Sequence, residues 1–388
     1  MSLHFQPGDR ILVIAPHPDD ESLATGGLIL SARKAGAAVR VLFCTNGDNN
    51  PWPQRWVEKR WRIGKTERQR WGGRRNLEAR DAIESLGLPP ESARFLQFPD
   101  QGLTHKLLSA ESAALETLCH QLQEWQPNLL ILPSPHDLHP DHNALFILFQ
   151  VALERVPLPA LRQWHFIVHC RRPELVPGRT LLHLTEEERK LKRDAILRHH
   201  TQMALSRKRF VAYARPTETY YVPSPPVASL PWHRIRHGHL DRGALTLTIA
   251  LPSRRWKDIS LLLAIETAER KSLRWQLPLP IISGKARLRN TITGEEERLA
   301  SIRISGRVAT IRIPLASHRQ ATRIFVKLRR RMLFLDDNGW REIPVEALSR
   351  EIPLAPPLPL DLSDRARQRE AEALEEAAKT AHPSIQPA

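Results

Sequence analysis

Short apolar runs alternate with helical patterns through the first 220 residues, and this alternation restricts the fold more than any other feature. Ile11 to Ala15, Val39 to Cys44 and Leu129 to Leu132 have the length and composition of buried parallel strands. Because strands that alternate with helices form a parallel sheet covered on both sides, the sequence predicts an α/β domain with helices on both faces of the sheet.

The rest of this region follows the same pattern. Apolar positions at helical spacing predict helices over 21–34, 75–86, 107–125 and 186–203, with another helix after Asp141. Further strands are predicted at 94–98, 166–170 and 220–222.

The sequence pattern changes after residues 223–231, which are rich in proline and serine. Short strand patterns with turns between them predict a small all-β, sandwich-like domain, and Asp337-Asn338-Gly339 favours a tight hairpin. Proline-rich residues and a charged helix over 363–379 follow. The predicted domains are therefore residues 1–228, 229–348 and 349–388, and the second is interpreted as a stabilising or docking module.

Two short polar motifs follow predicted strands: Pro16 to Glu21 and His139 to His142. In parallel sheets ligands bind beyond the carboxyl ends of the strands, so these motifs are expected to meet there. His17, Asp20 and His142 would then form a metal site with three protein ligands and room for water and substrate.

The remaining motif residues suit a metal-assisted hydrolase. Asp19 is predicted to be the general base that takes a proton from water held by the metal. His139, if protonated, would stabilise the oxyanion that forms on a carbonyl. Asp141 is placed to hold the orientation and the proton of a motif histidine. Taken singly, each residue also fits a simple turn or a helix cap; the hypothesis rests on their concentration at two strand ends.

The first 220 residues resemble the LmbE-like, or PIG-L, family of zinc-dependent N-deacetylases. Besides the two motifs, the resemblance lies in Thr45-Asn46-Gly47, in the helix with Arg75, Glu78, Ala82, Leu86 and Gly87, in the turn Pro99 to Leu103, and in Ala195-Ile196 with His200-Thr201-Gln202. It implies a Rossmann-like sheet of the LmbE type.

The resemblance also implies roles for residues. His17, Asp20 and His142 correspond to zinc ligands, Asp19 to the general base, and His139 to the residue that polarises the amide. Arg75 and Asp100 match substrate-contacting positions, and Asn46 is predicted to contact substrate as well. The implied reaction removes acetyl from an N-acetylated amino sugar of a glycan, glycolipid or related glycoconjugate, with lipopolysaccharide or exopolysaccharide biosynthesis as a candidate setting. Zn²⁺ is the expected cofactor, with Fe²⁺ or another divalent metal as the alternative.

Residues 49–74 form an insertion rich in tryptophan and basic residues, which the family pattern does not lead us to expect. It holds Trp52, Trp56, Trp61 and Trp71. Aromatic faces stack on sugars and arginines pair with anions, so one hypothesis is that it receives an anionic glycan or glycolipid. The alternatives are a structural insertion and a membrane-interface segment.

The net charge of +16 attracts polyanions, whether nucleic acid, acidic headgroups or acidic glycans, and also fits a solvated basic surface, so charge alone does not choose among these partners. The partners that we expect are an anionic sugar or glycolipid substrate and, peripherally, an anionic membrane. No signature of a nucleic-acid-binding fold is found, so no nucleic-acid partner is expected. No signal peptide precedes the first strand, and three scattered cysteines predict no disulfide framework. We therefore expect a cytoplasmic protein, with peripheral contact on the inner face of the membrane.

Two rival functions remain open at this point. His17 and Asp19 with a distant His142 also satisfy the pattern of non-haem Fe(II) oxygenases. The basic charge alone also fits a non-enzymatic protein that binds nucleic acid or membrane. Metal coordination by Asp20 rather than Asp19 would separate the hydrolase from the oxygenase.

Overall fold

A seven-stranded sheet organises the first part of the protein. The computed structural model describes residues 3–241, 243–251, 258–315, 321–330 and 335–345. The strands of this sheet are β1 (Arg10–Ala15), β2 (Ala38–Thr45), β3 (Ala93–Phe98), β4 (Leu129–Pro133), β5 (Arg162–Phe166), β6 (Arg179–His183) and β7 (Thr217–Tyr221). Their order is β3-β2-β1-β4-β5-β7-β6, with β1 to β5 parallel and the last two antiparallel.

Helices cover both faces of this sheet, as predicted. They are α1 (Asp20–Lys34), α2 (Pro51–Glu58), α3 (Lys65–Ser85), α4 (Leu103–Leu108), α5 (Ser112–Trp125), α6 (Pro140–Arg155), α7 (Glu186–Arg198) and α8 (His200–Val211). Alternate residues of β1 point to opposite faces. Ile11 and Val13 pack with α1, α3 and α7, whereas Leu12 and Ile14 pack with α4, α5 and α6. The α/β fold class is confirmed.

Several element boundaries differ from the prediction for local reasons. The predicted strand at 166–170 lies earlier, because β5 ends at Phe166 and the amides of Val168 and His169 donate to the Asp137 carboxylate instead of a neighbouring strand. The helix predicted over 186–203 is interrupted at His199, whose ψ of 63° is not helical. The helix predicted over 107–125 is divided into α4 and α5, and the strand β6 was missed.

The second sheet is antiparallel throughout and confirms the predicted β-rich part. Its nine strands are β8 (Ile235–Asp241), β9 (Ala244–Ala250), β10 (Ile259–Thr267), β11 (Ser272–Pro278), β12 (Gly284–Asn290), β13 (Glu296–Ser305), β14 (Val308–Pro314), β15 (Ala321–Arg330) and β16 (Arg341–Ile343). All of them contribute to one apolar core. Edge strands β8 and β16 approach each other, and Arg341 donates to the Ile235 carbonyl. The sheet is thus one curled layer that encloses its own core.

The two sheets share a second apolar cluster. Leu262, Ala264, Phe325 and Trp340 of the β-rich part pack into the same buried cluster as helix α6. Asp337 to Gly339 do not make the tight hairpin that we predicted, because Val326 of β15 pairs with Arg341 of β16, and this register is incompatible with a two-residue turn at Asn338-Gly339. A Cβ atom on Gly339 would collide with the Pro135 carbonyl oxygen. This segment therefore lies directly against the loop after β4.

The predicted domain boundaries at residues 228 and 348 stay predictions, and the helix predicted over 363–379 falls outside the described residues. Within the described part of the chain, no helix is both long and apolar enough to cross a membrane.

Candidate metal and hydrolase site

Three ligating atoms converge where β1 and β4 end. His17 Nδ1 lies 3.2 Å from Asp20 Oδ2, His142 Nε2 lies 3.2 Å from the same oxygen, and the two nitrogens are 3.3 Å apart. His17 follows β1, Asp20 begins α1, and His142 lies in the first turn of α6. The structure thus brings together the three residues that the sequence selected as metal ligands.

These atoms fit a divalent metal. Ligands about 2.1 Å from a tetrahedral zinc ion lie about 3.4 Å from each other, close to the three distances in this triangle. The donor set of two imidazoles and one carboxylate suits zinc or iron. Among the residues that the structure describes, three further sets of ligating atoms lie within 4.8 Å of one another, and each set includes His17 or His142.

Carboxylates face the outer nitrogens of both histidines. His17 Nε2 lies 3.3 Å from Asp100 Oδ1 and 3.4 Å from Asp141 Oδ2, and His142 Nδ1 lies 3.3 Å from Asp137 Oδ2. A carboxylate behind an imidazole favours the tautomer whose lone pair points towards the metal position, and it makes that nitrogen a better ligand.

The site's electrostatics favour a bound cation. Burial alone would lower the pKa of His17, but its hydrogen bonds to Asp100, Asp141 and Asp20 raise it well above the ordinary value. Burial likewise opposes the charge on His142, yet Asp20 and Asp137 raise its pKa to about 10. Because several buried carboxylates surround this point, positive charge is stabilised there, whether it comes from protons or from a metal ion.

Asp19 lies beside the triangle but outside it. Its Oδ2 is 3.0 Å from an Arg75 nitrogen, and its amide donates to Glu21 Oε2 at 2.9 Å. The φ angle of Asp19 is 141°, an unusual value for a non-glycine residue. Burial raises the pKa of Asp19 to about 6, although the Arg75 charge acts in the opposite direction. A carboxylate with this pKa suits a proton acceptor near neutral pH.

Glu21 fixes the backbone turn that presents Asp19, and this was not foreseen from the sequence. Its second oxygen, Oε1, lies 2.8 Å from His199 Nε2 and accepts the Ser22 hydroxyl at 2.6 Å. Glu21 and His199 are both buried. The break between α7 and α8 thus places His199 where it supports the first motif.

Asp137 was also missed. Besides facing His142, its carboxylate accepts the amides of His139 at 2.8 Å and of Val168 at 2.8 Å. It therefore fixes the loop that carries the second motif. The available signal was its position between an apolar strand and that motif, but a lone aspartate in a loop is usually a turn residue.

Asp141 lies where the prediction placed it, whereas the protonated form considered for His139 is disfavoured. Asp141 is buried, lies 3.4 Å from His17 Nε2 and accepts the Gln101 and Leu103 amides at 2.6 and 3.1 Å, so it can orient His17. Burial and the nearby histidines hold the pKa of His139 well below the ordinary value, so the protonated form that we expected is disfavoured. Its Nδ1 accepts the Asp141 amide at 3.2 Å, which assigns the proton of the neutral ring to Nε2.

A cleft of about 360 Å³ opens over these residues. Arg75 and Asp100 line it, as predicted, but Asn46 does not. The Asn46 side chain accepts a hydrogen bond from Asn76 at 2.9 Å and lines a neighbouring pocket. The other lining residues come mainly from the turn before α2, from α2 itself, from the loop after β5 and from α8.

Known proteins with sequences similar to this chain are deacetylases. The family model described as PIG-L: GlcNAc-PI de-N-acetylase matches residues 12–153. A probable N-acetyl-alpha-D-glucosaminyl L-malate deacetylase 2 of Bacillus cereus is 29% identical over 173 residues, covering 44% of this chain and 72% of that protein. The 1D-myo-inositol 2-acetamido-2-deoxy-alpha-D-glucopyranoside deacetylase of Mycobacterium leprae is 30% identical over 146 residues, 34% of this chain and 46% of that protein. This chain matches about half the length of the 1D-myo-inositol 2-acetamido-2-deoxy-alpha-D-glucopyranoside deacetylases.

Two solved structures are similar to part of this chain. The A40926 pseudoaglycone deacetylase Dbv21 has a TM-score of 0.44 at 22% identity, covering 55% of this chain and 96% of its own. N,N'-diacetylchitobiose deacetylase from Pyrococcus horikoshii has a TM-score of 0.40 at 20% identity, covering 55% of this chain and 83% of its own.

Proposed function

Because residues 12–153 of this chain form a PIG-L (LmbE-like) family domain, we propose that the protein is a metal-dependent deacetylase of N-acetylglucosamine-containing substrates. The observation that carries the proposal is the triangle of His17, Asp20 and His142, with Asp19 next to it but held by Arg75. The names of the curated relatives support the same reaction class.

His17, Asp20 and His142 would hold the metal, for which we propose Zn²⁺. When bound, such an ion lowers the pKa of water from about 16 to about 7 and polarises a carbonyl oxygen. The protein residues prepare this site by keeping both imidazole lone pairs directed inwards, since Asp100, Asp141 and Asp137 lie behind the rings.

Asp19 is proposed to accept the proton of the water that attacks the amide carbon. The C–N bond then breaks, the nitrogen leaves as a free amine after it gains that proton, and acetate is released. His139 would donate from Nε2 to the carbonyl oxygen as negative charge develops there; this needs only its neutral ring. The Arg75 guanidinium, 3.0 Å from Asp19 Oδ2, holds this carboxylate beside the site.

For the substrate we propose an N-acetylated amino sugar in an anionic glycan or glycolipid, with lipopolysaccharide, exopolysaccharide or a lipid-linked precursor on the cytoplasmic side of the membrane as its setting. Arg209 lines the cleft, and among the described residues it has no carboxylate within ion-pair distance. An unpaired guanidinium on the wall of a cleft favours a substrate with phosphate or carboxylate groups. No nucleic-acid partner is proposed.

The oxygenase alternative is not favoured, because it needs Asp19 as a ligand. Asp20, and not Asp19, points an oxygen at both imidazoles, and Asp19 is bound to Arg75. A purely non-enzymatic role is not favoured either, since it gives no reason for a buried cluster of this composition.

The test is to purify the full chain with zinc and measure both its metal content and the acetate released from N-acetylglucosamine derivatives. Asp19→Ala should lose most turnover and keep the metal, whereas His142→Ala should lose both. Asp81→Ala, an exposed change on α3, is the control and should alter neither. Near-normal turnover by Asp19→Ala would contradict the proposed base, and full metal content in His142→Ala would contradict the proposed ligands.

A further inference from the structure

Three tryptophans of the 49–74 insertion lie on the surface. Trp52, Trp56 and Trp61 are 60%, 68% and 75% exposed, whereas Trp71 is buried. A purely structural insertion, in which the tryptophans would pack on the domain, therefore does not account for these three. Apolar side chains of this size are costly to leave in water together, and a contiguous set of them indicates an interaction surface.

The helix that carries these residues is firmly attached on its other side. Pro53 and Gln54 of α2 are buried, and the Gln54 amide donates to the Glu67 carbonyl at 2.8 Å. Glu58, at the end of α2, forms an ion pair with Arg70 of α3. Because α2 is held in this way, its outer face is presented to solvent in a fixed orientation.

Arg55 organises the exposed face. Its guanidinium lies 4.9 Å from the Trp52 ring centre and 5.0 Å from that of Trp61, and its Nε donates to the Trp61 carbonyl at 2.9 Å. Lys59 and Arg62 add positive charge, and among the described residues neither has a carboxylate within ion-pair distance. The face is therefore both aromatic and basic. We call these six residues the Trp/Arg face.

The Trp/Arg face adjoins the mouth of the cleft. Trp52 lines the cleft, together with Leu205, which is 46% exposed, and Arg209 of α8. Trp56 and Trp61 are not among the lining residues. A sugar bound in the cleft would therefore leave the rings of Trp56 and Trp61 uncovered.

We propose that the Trp/Arg face docks on the surface of an anionic lipid bilayer and holds the cleft mouth at the level of the headgroups. Tryptophan prefers the boundary between water and acyl chains, and basic side chains are attracted to anionic headgroups. This inference deepens the proposed function, because a glycolipid substrate would then reach the metal site without leaving the membrane.

The experiment is flotation of the full-length protein with phosphatidylcholine vesicles that contain or lack phosphatidylglycerol. We expect clearly stronger binding to the anionic vesicles, and a loss of about tenfold or more in the double variant Trp56→Ala/Trp61→Ala. The matched control is Ile281→Ala/Ile282→Ala, which removes exposed apolar residues (54% and 75% exposed) between β11 and β12 and should bind like the wild type. Unchanged thermal unfolding and unchanged activity on a small soluble substrate show that the Trp variant is folded.

The proposal is overturned if the Trp variant binds vesicles as well as the wild type does, or if the wild type binds neutral and anionic vesicles equally. It is also overturned if the Trp variant loses binding to a soluble anionic polysaccharide while its binding to vesicles is unaffected. Flotation does not depend on turnover, and Asp19→Ala should float like the wild type. If no deacetylase activity is found, the flotation result therefore still stands by itself, and the two proposals fail separately.

Discussion

A buried ion pair in the β-rich part supports the loop that carries the second motif. Lys327 of β15 forms an ion pair with Asp336 and donates to Asn143 Oδ1 at 2.8 Å. Asn143 follows His142 in α6. Its side-chain amide donates to the Asp137 backbone carbonyl at 2.9 Å and to the Asp336 carboxylate at 3.0 Å. Burial lowers the pKa of Lys327 even with Asp336 beside it. The pair therefore exists only because each charge compensates the other.

Changing one partner should be far more harmful than changing both. Lys327→Met leaves Asp336 as a buried uncompensated charge, which typically costs about 3–5 kcal/mol of stability. Replacing the pair by apolar groups in Lys327→Met/Asp336→Leu removes both charges. What remains is the loss of the hydrogen bonds to Asn143, about 1–2 kcal/mol. We therefore expect a coupling energy of at least about 2 kcal/mol between these residues.

The assay is denaturant unfolding of the full-length wild type, the two single variants and the double variant, followed by tryptophan fluorescence. Lys271→Met removes a solvent-exposed ion pair with Glu269 and is the control, for which we expect no measurable change. The reasoning is refuted if the double variant loses as much stability as the sum of the single variants. It is equally refuted if Lys327→Met unfolds at the wild-type midpoint.

Further predictions concern other parts of the structure. Gly47 has a φ of 59°, and a Cβ there would collide with the Arg75 guanidinium, so Gly47→Ala should cost about 1–2 kcal/mol of stability and lower kcat. Burial lowers the pKa of His165 from 6.5 to about 3. As the pH falls, the unfolded chain therefore binds a proton at His165 before the folded protein does. The contribution of His165 to stability, which is present above pH 6.5, should therefore fall by about 2 kcal/mol between pH 7 and pH 5, and His165→Phe should remove this contribution from the pH dependence seen in unfolding measurements. Residues 1–228 alone should aggregate in light-scattering measurements, because removing Phe325 and Trp340 exposes apolar surface of α6.

The convergence of His17, Asp20 and His142 could be predicted from the sequence because the three residues lie within short motifs at strand ends. His17 and Asp20 are three residues apart at a strand-to-helix turn, and the parallel sheet determines where His142 meets them. Such geometry follows from strand order alone.

The supporting residues could not be predicted in the same way. Glu21 contacts His199, which lies more than 170 positions away in the chain. Asp137 accepts the backbone amide of Val168, a residue that the sequence pattern assigned to a strand. Asn46 shows the opposite error: its motif was recognised, but its side chain turns to Asn76 and away from the cleft. Tertiary contacts between distant loops leave no periodic signal in a single sequence.

The contact between Gly339 and the Pro135 carbonyl has a consequence for how this chain can be recombined. At that point the two backbones meet without space for a side chain, and Asp336 lies one hydrogen bond from the residue after a proposed ligand. A chimera that joined the first 228 residues to a foreign C-terminal module would have to reproduce this glycine and this acid, and not merely supply another fold. The interface between the two sheets is therefore a poor site for a chimera junction. Substitutions on one side of this interface should require compensating substitutions on the other.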